Sequence, residues 1–420
     1  MSNVITRFAP SPTGTPHIGN IRTALFNFLF ARNQKGVFIL RIEDTDQKRF
    51  VPESVDNIKE SLKSLNLSWD LEEVQSKRLK IYHKYLDILK EKGLVYEDEG
   101  AVRFKVSKKK ELTWQDLVHG DIIFASDVIE DFVLVKSDGY PTYHFASVVD
   151  DHEMKITHVL RGDEWISSTP KHLLLYEAFG WESPKFAHMP AILGAGHKKL
   201  SKREGAKSVF EYLDEGYLPE ALVNFLALLG WAPKNDKEIF SLDELVDEFS
   251  IERINKNSPI FNLEKLRWFN NQWIKKLTDD DLTTRILKFY PQYPKAEIAK
   301  LIPLVKERMF TFKEFKDLCD FIFESPQIAS IPSVSVLAAT IASLSIQFGK
   351  VQDWEASKIK KTIEDVAEKL KEDRIATIAA VRNIVSGKTV TPPLYESLEI
   401  LGKEETVKRL DEFQKSGSRF

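Results

Sequence analysis

Between residues 4 and 42 the spacing of apolar positions changes twice. Val4 to Phe8 is a short β-rich run. Ile21, Ala24, Leu25, Phe28 and Leu29 then recur at helical spacing, which predicts a helix over Arg22 to Asn33. Gly36 to Ile42 returns to a strand pattern. Strand, loop, helix and strand in that order open a doubly wound parallel sheet. Further on, Phe132 to Val135 reads as the strand on which the sheet resumes, Lys136 to Gly139 as a turn, and Tyr143 to Val149 as a return strand. Ile156 to Leu160 is another β run. Ser167-Ser168-Thr169-Pro170 opens a helix that runs to Phe179 and stops at Gly180.

After residue 207 the pattern turns helical. Leu218 to Leu229 is apolar enough to be buried. From about Asp280 helix follows helix, and Asp353 to Lys371 is typical, with Trp354, Ile359, Ile363, Val366, Ala367 and Leu370 on one stripe. The fold class expected is an α/β catalytic domain, a Rossmann-like parallel sheet with a shortened insertion, plus a C-terminal all-α domain. The boundaries expected are 1–79 and 131–194 for the two halves of the catalytic domain, 80–130 for the insertion, 195–279 for a connecting region and 280–420 for the helical domain.

Two short segments carry the candidate chemistry. Pro10-Ser11-Pro12-Thr13-Gly14-Thr15-Pro16 cannot be regular structure, so it forms a rigid turn between strand and helix. His17-Ile18-Gly19 then falls at the helix N-terminus, where unpaired N–H groups and the helix dipole favour phosphate. Gly19 has no side chain to keep a nucleotide off the backbone. The second segment, Lys199-Leu200-Ser201-Lys202-Arg203, follows Gly194-Ala195-Gly196. Its lysines suit a transferring phosphate, although most such clusters are solvated surface. Together the two segments outline a grip on ATP's phosphates from two sides.

These motifs resemble those of the class I aminoacyl-tRNA synthetases. Within that class the chain is similar to the bacterial-type glutamyl-tRNA synthetases. The resemblance runs through Arg7 to Gly14, Arg41-Ile42-Glu43-Asp44-Thr45-Asp46, Ser137 to Tyr143, Val148 to His152, Val159 to Trp165, Phe261 to Trp268 and Thr391 to Glu396. It implies ligation of L-glutamate to tRNA(Glu) through glutamyl-adenylate, with ATP and Mg²⁺. The 2′-hydroxyl of the terminal adenosine would take the glutamate, and tRNA would bind before activation. Charging of tRNA(Gln) is left open. His17, Lys199 and Lys202 are the expected catalytic residues.

The resemblance assigns Arg7, Ala9, Ser11, Glu43, Tyr143, Ser147 and Arg161 to glutamate. Two cations suit two carboxylates, Glu43 suits the ammonium, and the arginine fork pairs both oxygens of a carboxylate. Thr13, His17, Gly19, Glu164, Trp165, Lys199 and Lys202 are assigned to ATP, and Thr45 and Asp46 to the tRNA 3′ end. The insertion becomes acceptor-binding, the region with the lysine loop a stem contact, and the helical domain anticodon-binding. Ser147 stands where some members carry Asn, and Asn20 where the signature usually has a second His. Asp150 and Asp151, read as strand neighbours on opposite faces, are expected to hydrogen-bond or position the acceptor stem rather than hold a metal.

Composition narrows this further. The 420 residues suggest two or three domains. A net charge of −3 does not favour nucleic acid, so any tRNA surface must be locally basic. Lys105 to Lys110 and His197 to Lys207 are the candidates. One cysteine, Cys319, excludes a disulfide framework and a cysteine-based zinc site, and fits a cytoplasmic protein. No apolar stretch is long enough for a membrane span, no leader is expected before Val4, and a monomer is expected. Gly93 to Tyr96 passes almost directly into Ala101 to Val106, so the insertion of the family is shortened here. A glutaminyl-tRNA synthetase would end in β-barrels, and a queuosine-glutamylating paralogue would lack the helical domain. A catalytically silent tRNA binder would not need the intact signatures.

Overall fold

The computed structural model describes residues 4–108, 110–200, 207–326 and 338–417. The chain divides into two compact units, Met1–Asp214 with Pro219–Phe269, and Glu215–Leu218 with Asn270–Phe420.

In the first unit β1 (Ile5–Phe8), β2 (Val37–Ile42) and β3 (Leu71–Val74) form a parallel sheet in that order. The next strands are β4 (Val95–Asp98), β5 (Ala101–Phe104), β6 (Glu111–Asp116), β7 (Gly120–Ala125), β8 (Phe132–Val135), β9 (His158–Gly162) and β10 (Lys185–Met189). A second sheet runs β7-β6-β10-β9, parallel except for the β6–β7 hairpin. Its β9 edge meets β1 where Thr157 N–H donates to the Ile5 carbonyl at 3.0 Å. The strand order therefore reverses between β1 and β9, and in such sheets ligands bind at the carboxyl ends beside that reversal.

Helix α1 (Ile18–Asn33) covers one face, with Phe28 edge-on to Phe38 of β2. The neighbouring Ile39 points the other way and joins a core with residues of three further helices. Those are α3 (Leu79–Glu91), α4 (Tyr143–Glu153) and α5 (Thr169–Phe179), which follow α2 (Glu53–Ser64) in the chain. The α5 helix has the bounds its sequence predicts, with Gly180 left-handed at its C-terminus.

Two expectations fail here. Tyr143 to Val149 is the first part of helix α4, not a strand. Every residue from Phe145 to Asp151 is buried, so there is no polar stripe to betray the helical period. Asp150 and Asp151 are accordingly helix neighbours, and their argument from strand faces lapses. The β8 strand has its predicted bounds, but it pairs antiparallel with β5 in a separate β4-β5-β8 sheet. The parallel sheet instead continues through β6, inside the region read as an insertion.

The unit closes with α6 (Val209–Asp214), α7 (Pro219–Leu228) and α8 (Leu242–Glu248), and α7 is buried as its composition predicts. Helix α9 (Leu263–Lys276) carries the division between the units.

The second unit is helical throughout its described residues: α10 (Asp279–Phe289), α11 (Lys295–Val305), α12 (Lys313–Phe323), α13 (Ala338–Lys350), α14 (Ala356–Leu370), α15 (Arg374–Ser386), α16 (Leu394–Leu401) and α17 (Lys403–Gly417). Ile359, Ile363 and Val366 of α14 enter its core beside Phe348, Ile384 and Leu398. Of the predicted stripe, Trp354 precedes the helix, packs on this core and donates its indole N–H to the Leu398 carbonyl at 2.8 Å. Leu370, at the last turn, is exposed.

Candidate active site

A cavity of about 1050 Å³ opens at the carboxyl ends of β1 and β9. The first signature forms one wall. His17 adopts extended backbone and caps α1, and its Nδ1 accepts from the Gly19 N–H at 3.0 Å. In the neutral ring the proton then lies on Nε2. Asn20, in the place of the usual second histidine, accepts from the His17 N–H through Oδ1 at 3.3 Å. Ala9, Ser11, Thr13, His17 and Gly19 all line the cavity, as do Thr45 and Asp46.

Behind the wall lies a buried charge network. The Arg41 guanidinium, fully enclosed, donates to Glu43 at 2.9 Å and to Asp151 at 2.7 Å. Arg7 donates to the same Asp151 oxygen at 3.2 Å. Asp150 is hydrogen-bonded by a different set, Arg78 and Tyr82 at 2.8 Å and Gln75 at 2.9 Å, with Arg41 Nε 3.9 Å away. Burial raises the Asp151 carboxyl, but Arg41 and Arg7 outweigh it and hold it below the usual range. For Glu43 burial prevails over the same two arginines and pushes the carboxyl up to about 6. Arg7 and Glu43 line the cavity as expected. Ser147 is not among its lining residues. It is fully buried, with its hydroxyl 3.4 Å from Arg41.

Arg161 is held differently. Its Nε donates to His188 Nε2 at 3.1 Å, and Nη1 donates to the Tyr143 hydroxyl at 3.1 Å and faces His172 Nδ1 at 3.4 Å. Nη2 donates to Thr169 Oγ1 at 2.8 Å and to the Trp165 carbonyl at 3.5 Å. Burial keeps His172 far below the usual histidine range and Tyr143 above the usual phenol range, so both are neutral at pH 7. Among the described residues no carboxylate lies within 4.0 Å of this guanidinium. Arg161, only 5 % exposed, is thus a cation at the cavity wall surrounded by neutral acceptors.

At the mouth, Glu164 pairs with Lys199 at 3.3 Å, and the Trp165 ring lies 4.3 Å from that of Tyr143. All four line the cavity. The two signatures, distant in sequence, border the same cavity through His17 and Gly19 on one side and Lys199 and Leu200 on the other. Leu200 donates its N–H to Ile192 at 2.8 Å, while Ile18 donates to the Lys207 carbonyl at 3.3 Å and His17 bridges to Ser208. Ser201, Lys202 and Arg203 lie outside the described residues, as does Lys109. Of the lysines expected to form a basic tRNA surface, Lys108 donates to the Ile129 carbonyl and Lys110 pairs with Glu177.

Sequence reasoning passed over Arg41, Asp116, His172 and His188. Arg41 was within reach, because period-2 spacing puts it on the face of Glu43. The histidines carry no comparable signal.

A parallel sheet with a helix N-terminus and a buried cation beside the strand-order reversal is the arrangement of a nucleotide-binding α/β fold, and the sequence matches the class I tRNA synthetases. Residues 3–101 and 97–268 match the family "tRNA synthetases class I (E and Q), catalytic domain", and residues 264–414 match "Anticodon binding domain". A glutamate–tRNA ligase of Dehalococcoides mccartyi is 38% identical over 471 aligned residues, covering 97% of each chain. Glutamate–tRNA ligase 2 of Fervidobacterium nodosum is 40% identical, covering 97% of this chain and 95% of that one. The crystal structure of a glutamate tRNA ligase from Elizabethkingia meningosepticum in complex with its amino acid superposes with a TM-score of 0.88 at 32% identity, covering 99% of this chain and 100% of that one. The chain belongs to the glutamate–tRNA ligase family.

Proposed function

We propose that the chain activates L-glutamate with ATP, entering as its Mg²⁺ complex, and transfers it to the 3′-terminal adenosine of tRNA(Glu). The observation that carries the choice of amino acid is the Arg161 guanidinium. A buried charge with no carboxylate in direct contact is costly, Asp151 acting on it only at longer range, and a ligand carboxylate relieves that cost on binding. Arg161 reads the side-chain carboxylate, with the Tyr143 hydroxyl beside it. Arg7 contributes a second cation, Glu43 takes the ammonium, and Ala9 and Ser11 border the pocket. Ser147 acts through Arg41.

The α-carboxylate attacks the α-phosphate, forming glutamyl-adenylate and releasing pyrophosphate. The His17 Nε2–H, Lys199 and Lys202 stabilise the charge on the phosphates. Thr13, Gly19, Glu164 and Trp165 hold the nucleotide. The 2′-hydroxyl of the tRNA then attacks the adenylate carbonyl, with Thr45 and Asp46 beside the 3′ end. No protein side chain acts as nucleophile in either step.

The β4–β5 turn supports a shortened connective segment. Asp98 pairs with Ala101, leaving Glu99 at φ 49° and Gly100 at φ 79°, the two-residue turn that favours glycine. The two pieces of the catalytic-domain match join at that turn. The Dehalococcoides alignment, at 471 residues, is longer than this 420-residue chain. We further propose a cytoplasmic monomer. Among the described residues no helix is long and apolar enough to cross a membrane.

ATP–pyrophosphate exchange with glutamate or glutamine, with and without tRNA, tests the proposal. Exchange is expected only with glutamate and tRNA present. Exchange with glutamine, or none under any condition, refutes it. Acylation of purified tRNA(Gln) beside tRNA(Glu) separates a discriminating enzyme from one that charges both.

A further inference from the structure

Three parallel strands end side by side, with Asp116 of the first in register with Phe186, two residues before His188. Arg161 on β9 is the lateral partner of His188 on β10, and β10 pairs with the end of β6 at Asp116. The side chains connect in the same order. Asp116 Oδ2 accepts from His188 Nδ1 at 2.5 Å, and His188 Nε2 accepts from Arg161 Nε at 3.1 Å. Asp116 Oδ1 is itself held by the backbone N–H groups of Val118 and His119 at 3.0 Å and of His188 at 3.3 Å. All three side chains are buried, with Asp116 2 % and His188 0 % exposed.

We propose that Asp116 and His188 are positioning residues for substrate selection, fixing the tautomer that aims the Arg161 guanidinium at the substrate carboxylate. This rests on Arg161 as the carboxylate reader.

The argument is one of proton count. An ionised Asp116 is acceptor-only, so His188 must carry its proton on Nδ1 and present a bare Nε2. Arg161 Nε–H is obligately a donor, and only the bare nitrogen can meet it. With the proton on Nε2, two donors would face each other in a dry site, and the guanidinium would have to rotate. Burial raises Asp116, but the bond from His188 and the backbone N–H groups outweigh it, so the carboxyl stays ionised. Burial also lowers His188, keeping the ring neutral. The cavity does not include either residue among its lining, so both act through Arg161.

Asp116→Asn tests this with little change of shape. The Oδ1 acceptor can remain on the backbone N–H groups, which turns the new amide N–H₂ toward His188 Nδ1 and moves the ring proton to Nε2. The expected result is a rise in the KM for glutamate on the order of tenfold or more, with the KM for ATP and for tRNA within about twofold of wild type. His188→Asn should behave alike. His188→Gln, whose Oε1 reaches the Nε2 position, should recover most of the loss, and these two variants decide the matter if D116N does not fold. A folded D116N or H188N with wild-type KM for glutamate overturns the proposal. So does an equal rise in KM for ATP, or equal damage in H188N and H188Q. Arg161→Ala is the control. If it leaves the glutamate KM unchanged, the reading of Arg161 fails and the positioning claim falls with it. If it raises KM while D116N and H188N do not, the positioning claim alone fails.

Discussion

Burial pushes the Glu43 carboxyl up to about 6 from an ordinary 4.5, against the pull of Arg41 and Arg7, with Asp151 adding to the rise. A group raised on folding favours the folded state in its protonated form. Its stabilising contribution is complete below 4.5 and is lost as the pH rises through about 6. The loss amounts to about 2 kcal/mol. Ammonium recognition needs the ionised form, so the KM for glutamate should rise as the pH falls from 7 to below 6. Glu43→Gln should flatten that rise, and a wild-type KM independent of pH over this window would refute the role. At this scale the sequence shows residue types and short spacings. Arg41 and Glu43 share a strand face by period. The convergence of Arg41 and Arg7 on Asp151, 110 residues beyond Arg41 and 144 beyond Arg7, is invisible in it. The same limit hides the displacement of Ser147 to the back of the pocket.

The start of α1 is the element on which the phosphate chemistry depends. A Cβ at Gly19 would stand 2.8 Å from His17 Cε1 and 2.9 Å from Nδ1, so Gly19→Ala must turn the ring off the Gly19 N–H. Adenylate formation should then fall on the order of a hundredfold, while the lost cap costs only about 1 kcal/mol of stability. Single-turnover adenylation and thermal melting measure the two effects, and an unchanged rate would remove His17 from the chemistry. Elements with punctuation are legible in sequence. The α5 helix opens on Ser-Thr-Pro and has glycine after it, and its bounds are as read. Helix α4 has neither a polar stripe nor a stop residue, and its β-branched Val148-Val149 favours the wrong assignment.

At the level of the whole molecule, the chain carries one cysteine, buried in the second unit, its thiol pushed up to about 12 by burial. With no cysteine-based zinc site expected, a zinc chelator that spares Mg²⁺ should leave the melting temperature and acylation unchanged. Activity lost to the chelator and restored by zinc alone would contradict this. The opening strand–helix–strand unit, helix α5, the helical C-terminal region, the family and the residues bearing the signatures follow from the sequence, because periodicity, turn chemistry and motif order are local properties of a chain. Which strands adjoin was settled in space. Only the tertiary structure places β6 beside β10, brings Lys207 and Ser208 against His17 and Ile18, and leaves Arg161 among neutral acceptors while Arg7 shares a carboxylate. A charge becomes a recognition group through its burial and its partners, and both are set by residues remote in sequence that the sheet brings into register.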